Sequence, residues 1–313
     1  MLFCGVSTGV PELPEVETTV RGLNKRVLER TLVDVWSDWE KIVKKPKNFE
    51  EFKRIIKGKK IRKIWRRAKN IIFDLSGGYS LLIHQKMTGH LLVGNWKLEN
   101  GIWKPVKDGP LNDPYNRFLH LIFFLDNPSS HKATDGRGGK MMALSDARKF
   151  AKVELWKTED LLNSPEFKKL GPEPLDKIFT LEKFKEVLKR PKGKVKQVLM
   201  DQSVIAGIGN IYASEILWAA KIHPEKNIAK LSNSELKLLY QSIKKVLSLG
   251  VKLGGESFSD YRKPDGSKGD FDTERRVYKR DGQKCSRCKT KIKRIKLGGR
   301  SAFFCPHCQK LDF

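Results

Sequence analysis

The sequence has no apolar stretch long enough to cross a membrane. Its longest apolar runs, such as Leu119 to Leu125 with His120 inside it, fall far short of the roughly 18 residues that a spanning helix needs. The first ten residues also lack the basic region and the apolar core of a secretory signal. We therefore expect a cytoplasmic protein.

Acidic residues are scarce as well. Asp and Glu number 36 against 63 Lys and Arg, so the formal net charge is +27, and the positive charge is spread along the whole chain. Such an excess predicts a polyanionic partner, and without a membrane segment it favours nucleic acid over an anionic membrane. Hydrophobic residues still make up 39% of the 313 residues, which is enough to build two folded domains.

Cysteine is rare, and its positions are informative. All but Cys4 of the five cysteines form two C-x2-C pairs separated by sixteen residues, namely Cys285, Cys288, Cys305 and Cys308. This spacing is typical of a tetrahedral zinc site and not of a disulfide framework. Four thiolates fill the coordination shell, which predicts one structural Zn²⁺ and leaves His307 outside it.

The segment between the cysteine pairs alternates basic and apolar residues around Gly298 and Gly299, which predicts a β-hairpin. Its cations are Lys289, Lys291, Lys293, Arg294, Lys296 and Arg300. A rigid hairpin presents these charges in a fixed direction, so we expect it to follow a phosphate backbone.

Periodicity divides the rest of the chain. Apolar residues recur at helical spacing from Pro11 to about Arg30, so a helix should begin at the proline. Short β-type runs follow, and after Leu170–Asp176 the pattern changes to helices that continue to about Gly250. The polar stretch Glu256–Phe271 is long for a loop without a function and is a candidate binding segment.

Several motifs, in order along the chain, together resemble those of the bacterial formamidopyrimidine-DNA glycosylase family. They are PELPEVET at 11–18, RRAK at 66–69, MTG at 87–89, DARKF at 146–150, LGPEPL at 170–175, the stretch 199–224, and GGRSAFFCPHCQK at 298–310. Each is weak alone, but the ordered set is specific.

The resemblance implies an α+β multidomain fold. A β-sandwich domain with an N-terminal helix would occupy residues 11–165, followed by a linker at 166–180. A helical domain with a helix-two-turn-helix motif, including the polar segment as a loop over the lesion, would occupy 181–275, and a zinc finger 276–313.

The resemblance also implies an enzyme that acts as a monomer on double-stranded DNA. It would excise oxidised purines, chiefly 8-oxoguanine opposite cytosine and formamidopyrimidines, and then cut the strand by β- and δ-elimination. Related enzymes of the endonuclease VIII type have glycine where this chain has Leu13, which favours the purine branch. An enzyme for oxidised pyrimidines remains the alternative.

The expected catalytic residues carry separate parts of this chemistry. An amine that attacks the sugar C1′ holds the opened sugar as an iminium. An N-terminal proline such as Pro11 would be a secondary amine with a pKa of about 8. By resemblance, Glu12 moves protons at the sugar, Lys69 assists β-elimination at a phosphate near the lesion, and Arg300 serves δ-elimination.

The expected DNA contacts also follow from the resemblance. Met87, Arg148 and Phe150 match a wedge that fills the space left by the everted base, with the arginine bonding the orphaned cytosine. Phosphate contacts are expected from Lys192, Lys196, Asn210 and His120, although Phe118 replaces a second histidine usual in the family. The glycine turn before Asn210 would feed a helix whose N-terminal N–H groups bind phosphate.

One departure bears on the mechanism. Inside a chain Pro11 is an amide and cannot be a nucleophile. We expect residues 1–10 to be an extension that the active enzyme lacks, with translation starting at Val10 from a GTG codon. Proteolytic trimming, or a retained extension that leaves a DNA-binding protein without lyase activity, are the alternatives. A further insertion, Ser129–Lys140, has no assigned role.

Overall fold

The structure, a computed structural model, describes residues 10–126, 140–257 and 260–311. Most of the expected extension and of the Ser129–Lys140 insertion lies outside these residues. The described chain divides into two compact units. The first contains Pro11, Glu15–Lys168 and Glu256–Gly269, and the second contains Glu12–Pro14, Lys169–Gly255 and the residues from Asp270 onward.

Helix α1 (Leu13–Val27) starts two residues after the predicted proline. Its buried residues Val16, Val20, Leu23 and Val27 recur every three or four positions, so one face of the helix packs into the core of the first unit. Pro11 and Glu12, both buried, directly precede the helix.

Two sheets make up the β-sandwich of the first unit. The strands are β1 (Leu32–Ser37), β2 (Val43–Lys45), β3 (Ile61–Arg67), β4 (Asn70–Leu75), β5 (Tyr79–His84), β6 (His90–Gly94), β9 (Leu119–Leu125), β10 (Met141–Ser145) and β11 (Lys152–Lys157). One sheet has the order β1-β9-β10-β6, and the other has the order β2-β11-β5-β4-β3. All these pairings are antiparallel except β2 with β11. The predicted predominance of strand in this half is confirmed.

Side chains of the first sheet alternate between two cores. On β10, Met142 and Leu144 face the core shared with the second sheet, whereas Met141 and Ala143 face a smaller outer cluster. The hairpin β7 (Trp96–Glu99) and β8 (Ile102–Pro105) contributes tryptophans to that outer cluster. Burial on both faces explains why these strands are apolar at nearly every position.

Short helices complete the first unit. They are α2 (Phe49–Ile56), α3 (Thr158–Asn163) and α4 (Pro165–Lys168). Helix α2 buries Phe52 in the sandwich core, and Leu161 of α3 covers the outer face of the five-stranded sheet. Replacing a core ring such as Phe52 by alanine should cost about 3–5 kcal/mol of folding free energy.

The polar segment Glu256–Gly269 is an integral part of the first unit. The Tyr261 hydroxyl donates to the Glu15 carbonyl oxygen at 3.0 Å, and Arg262, only 1% exposed, pairs with Asp113 at 3.0 Å. The nitrogen of Val93 donates to the Pro264 carbonyl oxygen at 2.7 Å. The sequence analysis had grouped this segment with the helical residues beside it in the chain.

The second unit is mainly helical. Its helices are α5 (Leu181–Val187), α6 (Val195–Met200), α7 (Asn210–Ala220) and α8 (Asn233–Lys252). A capping box starts α8, because the Ser232 hydroxyl accepts from the Glu235 nitrogen and the Glu235 carboxylate accepts from the Ser232 nitrogen. No helix of the described ranges is long and apolar enough to cross a membrane.

The predicted hairpin near the carboxyl end is present. Strands β12 (Lys293–Leu297) and β13 (Arg300–Phe304) pair antiparallel, with Leu297 opposite Arg300. Gly298 and Gly299 form the two-residue turn with φ of 54° and 74°, a conformation that glycine adopts without strain. The α+β fold with sandwich, helical and hairpin parts is therefore confirmed.

Candidate active site and metal centre

The Glu12 carboxylate lies at the N-terminus of α7. It is 2% exposed and accepts hydrogen bonds from the backbone nitrogens of Gly209 at 2.7 Å, Ile211 at 2.8 Å and Tyr212 at 3.2 Å. The helix dipole and these donors stabilise its negative charge. A Cβ on residue 209 would lie 2.4 Å from the Glu12 carboxyl carbon, so only glycine fits there.

This arrangement corrects one expectation. The backbone N–H groups at the start of α7 were predicted to bind phosphate, but three of them are already bonded to Glu12. Asn210 is the first residue of the helix, and its Oδ1 atom is buried without a hydrogen-bond partner among the described residues. The Asn210 side chain therefore stays a candidate for the predicted phosphate contact in this turn.

Lys196 is buried and not a surface cation. It is 2% exposed, and its Nζ donates to the Ser214 hydroxyl at 3.0 Å and to the Ser301 carbonyl oxygen at 2.9 Å. Burial lowers the pKa of Lys196 from 10.5 to about 7; the nearby charge of Glu12 opposes this shift and that of Arg300 adds to it. The phosphate contact expected of Lys196 remains a prediction for this enclosed ammonium.

A small cavity joins this lysine to the hairpin. Its volume is about 220 Å³, and it is lined by Lys196, Gln197, Met200, Asp201, Leu297, Gly298 and Arg300. Arg300 itself is exposed at the end of the glycine turn. In the second unit, Glu12 and Arg300 thus both lie within electrostatic range of Lys196.

Lys69 lies in the first unit, in the tight turn between β3 and β4. Ala68 has a φ of 52° in this turn, and the Arg66 guanidinium donates to the Ala68 carbonyl oxygen at 3.0 Å and to Glu17 at 3.0 Å. Burial, together with the nearby charges of Lys86 and Lys69, lowers the pKa of His84 to about 3. The Lys69 ammonium is therefore close enough to His84, a half-buried and neutral imidazole, to affect its pKa.

The three residues of the predicted wedge lie on two turns of the first unit. Met87 is half-buried in the turn between β5 and β6, and Arg148 and Phe150 are exposed in the turn between β10 and β11. The Phe150 side chain is 52% exposed, and the Arg148 guanidinium lies 5.1 Å from its ring centroid. An aromatic ring this exposed is available to stack against bases.

The remaining predicted DNA contacts have different environments. Lys192 is exposed in the turn before α6. His120 is nearly buried on β9, and its Nδ1 lies 2.8 Å from the Asp38 carboxylate. That carboxylate orients the imidazole and leaves Nε2 as the ring atom for another partner.

The four predicted metal ligands converge. The sulfur atoms of Cys285, Cys288, Cys305 and Cys308 all lie within 4.8 Å of one another. A tetrahedral metal with sulfur ligands at about 2.3 Å fits such a cluster, and four thiolates leave no open position for catalysis. His307 is not part of the group. The chain therefore has a four-cysteine site for a structural metal.

Two sets of contacts attach the residues before and within the cysteine cluster to α7, and local sequence patterns do not predict them. The buried Glu215 carboxylate accepts from the backbone nitrogens of Arg276, Val277 and Tyr278 at 2.8–3.0 Å. Arg287 lies 3.6 Å from the Trp218 ring centroid and donates to the Trp218 carbonyl oxygen at the end of α7. A glutamate inside a helix gives no local signal that it caps a distant segment.

Comparisons with known proteins agree with the geometry. The family model described as the formamidopyrimidine-DNA glycosylase N-terminal domain matches residues 10–153, its H2TH domain matches 170–262, and a zinc finger found in FPG and IleRS matches 282–311. A formamidopyrimidine-DNA glycosylase of Desulforamulus reducens is 36% identical over 304 residues, which cover 96% of this chain and 99% of the relative.

Solved structures give the same result. Lactococcus lactis Fpg (MutM) in complex with a FAPY-dG containing DNA superposes with a TM-score of 0.79 at 35% identity. A structure of MutM in complex with carbocyclic 8-oxo-G containing DNA also gives a TM-score of 0.79 at 35% identity. Each match covers 96% of this chain and 100% of the solved one.

Proposed function

Because the chain belongs to the formamidopyrimidine-DNA glycosylase family and is a base-excision repair glycosylase, we propose that it excises oxidised purines from double-stranded DNA and then cleaves the abasic strand. The proposed substrates are 8-oxoguanine opposite cytosine and formamidopyrimidines. Support comes from the relatives crystallised with such lesions and from the wedge arginine, which can donate to an orphaned cytosine.

The proposed nucleophile is the amine of Pro11. Its attack on C1′ would break the glycosidic bond, release the base and leave the opened sugar as an iminium, which draws electrons away from C2′ and so drives elimination of the 3′ phosphate. This step requires a free nitrogen, so the reactive form of the protein is one whose chain begins at Pro11.

The observation that carries the proposal is the position of Glu12. This carboxylate follows the proposed nucleophile directly and is buried against three backbone donors at the start of α7. A carboxylate fixed in this way is preorganised to accept and return a proton at the sugar ring without moving. A glutamate that served only as a helix cap could come from any part of the chain, whereas Glu12 is the residue directly after the proposed nucleophile.

The other roles are assigned by matching motifs and environment. We propose that Lys69 assists β-elimination and that Arg300 binds the phosphate for δ-elimination. Met87, Arg148 and Phe150 would fill the duplex where the base leaves. The phosphate contacts would be Lys192, Lys196, His120 and the Asn210 side chain. The protein would act as a monomer, with the excess of cations supplying most of its affinity for DNA.

We propose zinc as the metal at Cys285, Cys288, Cys305 and Cys308. A closed set of four thiolates suits zinc, and its part would be to fold and orient the hairpin that carries Arg300. The metal would take no part in bond breaking.

The test is a trapping experiment. The gene would be expressed from its own upstream region, and the purified protein incubated with borohydride and a duplex that contains 8-oxoguanine opposite cytosine. Reduction of the iminium should give a covalent complex whose crosslinked peptide, mapped by mass, begins at Pro11. An intact Met1 terminus with DNA binding but no adduct would overturn the lyase proposal. Excision of thymine glycol in preference to 8-oxoguanine would instead overturn the proposed substrate class.

A further inference from the structure

Asp146 connects the two turns that carry the wedge. Asp146 directly follows β10 and is a fully buried carboxylate. Thr88, next to Met87 on the other turn, is also buried. Both residues belong to the first unit. A buried carboxylate is costly unless hydrogen bonds satisfy it, so its partners show what it holds in place.

The partners of Asp146 come from both turns. The Thr88 hydroxyl donates to Asp146 Oδ1 and accepts from the Arg148 backbone nitrogen at 3.1 Å. The same Oδ1 accepts from the Arg148 nitrogen at 3.3 Å, and Oδ2 accepts from the Ala151 nitrogen at 2.7 Å. One hydroxyl and one carboxylate therefore connect the Met87 turn with both ends of the Arg148–Phe150 turn.

The two turns also press against each other. A Cβ on Gly89 would lie 2.5 Å from the Gln85 carbonyl oxygen and 3.2 Å from the Ala151 Cβ, so no larger residue fits between them. Lys149 has a left-handed φ of 58°, and its nitrogen donates to the Asp146 carbonyl oxygen at 3.1 Å. Its ammonium lies 4.7 Å from the Trp39 ring centroid, which supports the strained turn from outside.

We propose that Asp146 and Thr88 are positioning residues that set the selectivity for the base opposite the lesion. They would hold the turn of Met87 and the turn of Arg148 and Phe150 as one rigid wedge, so that the arginine meets the orphaned base in a fixed geometry. This inference rests on the proposed function. A paired contact to a base edge discriminates between bases only while its donors stay aligned, and a loosened wedge loses that alignment.

Matched variants of buried hydroxyl groups provide the test. Thr88→Val removes the hydroxyl at nearly constant volume, whereas Thr88→Ser retains it. Ser80→Ala is the control, because Ser80 is also buried and donates to an aspartate, Asp74 at 3.0 Å, on the five-stranded sheet. Single-turnover excision of 8-oxoguanine opposite cytosine and opposite adenine gives a selectivity ratio for each protein. Binding to an abasic-site analogue opposite the same two bases gives a second ratio that needs no catalysis.

We expect Thr88→Val to lower both ratios about tenfold, the value of one misaligned base contact. Thr88→Ser and Ser80→Ala should keep the wild-type ratios. Asp146→Asn, which turns an amide donor towards the Ala151 N–H, should behave like Thr88→Val. Unchanged ratios in Thr88→Val, or an equal loss in Thr88→Ser or in Ser80→Ala, would overturn the inference. If the wild-type protein bound selectively but excised nothing, the proposed function would be overturned. The binding ratios of the variants would then test by themselves whether Thr88 and Asp146 position the wedge.

Discussion

The Glu12 carboxylate accepts a hydrogen bond from the Gly209 nitrogen at 2.7 Å, although 197 positions separate the two residues in the chain. This bond ties the residue after the proposed nucleophile to the glycine that precedes α7. Because a side chain on residue 209 would overlap the carboxyl group, the two residues constrain each other.

Replacing Glu12 by glutamine should impair both folding and excision. The carboxamide turns an N–H donor towards backbone donors, which should lower the free energy of unfolding by about 1–3 kcal/mol. Losing the proton acceptor should slow base release about 100-fold in a single turnover. The exposed Glu166→Gln is the control for both measurements. If the two variants behaved alike, Glu12 would have neither role.

Lys196→Met should change how stability depends on pH. In the folded protein burial lowers the pKa of Lys196 to about 7, whereas the unfolded chain keeps the value of 10.5. Both states bind the proton below about pH 7, so the effect is flat there. Between these values only the unfolded state stays protonated, so wild-type stability rises with pH relative to Lys196→Met, by roughly 1.4 kcal/mol per pH unit.

Denaturant unfolding of both proteins between pH 6 and 9 would measure that difference, with the exposed Lys189→Met as the control. The free energy of unfolding of Lys196→Met minus that of the wild type should decrease as pH rises. A constant difference across the range would mean that Lys196 stays charged in the folded protein.

Cys305→Ala should abolish metal binding, since the cluster then has only three of its four sulfur ligands. We expect about one zinc ion per chain in the wild type by atomic emission and none in the variant, with a lower melting temperature. His307→Ala is the matched control, because His307 is exposed between two of the ligands and is not part of the sulfur cluster. Loss of metal in His307→Ala would contradict the assigned ligand set.

Arg300→Gln should affect strand cleavage more than base release. Arg300 is exposed beside the cavity of Lys196, where it could bind a phosphate, and losing one such charged contact should slow δ-elimination by about 10- to 100-fold. Gel analysis of the 3′ ends would show β-elimination product accumulating. Lys296→Gln, an exposed cation on the same hairpin, should leave the product distribution unchanged. Equal effects of the two variants would mean that Arg300 contributes only positive charge to the hairpin and has no specific part in δ-elimination.

Local patterns predicted those parts of the molecule that depend on near neighbours. The spacing of Val16, Val20 and Leu23 predicted α1, the paired glycines predicted the hairpin turn, and the C-x2-C pairs predicted a cluster that does converge. In each case the physical cause lies within a few residues of the signal.

Long-range contacts could not be predicted from local sequence patterns. Lys196 stands in a basic stretch that looks exposed, yet Ser214 and Ser301 enclose it. Arg262 stands in a polar segment, and nothing in its surroundings indicates that it would be buried against Asp113. Burial of a charge depends on partners from distant segments, which no periodicity records.

The three hydrogen bonds that Glu215 accepts also limit which chimeras between this protein and its relatives can be functional. The segment Arg276–Tyr278, which precedes the cysteine cluster, is held by a carboxylate on α7, about 60 residues earlier in the chain. A zinc-finger segment exchanged between homologues would keep its four sulfurs but lose this attachment if the recipient helix lacked that carboxylate. Crossover points in functional chimeras should therefore fall before residue 215, so that helix and hairpin are inherited together.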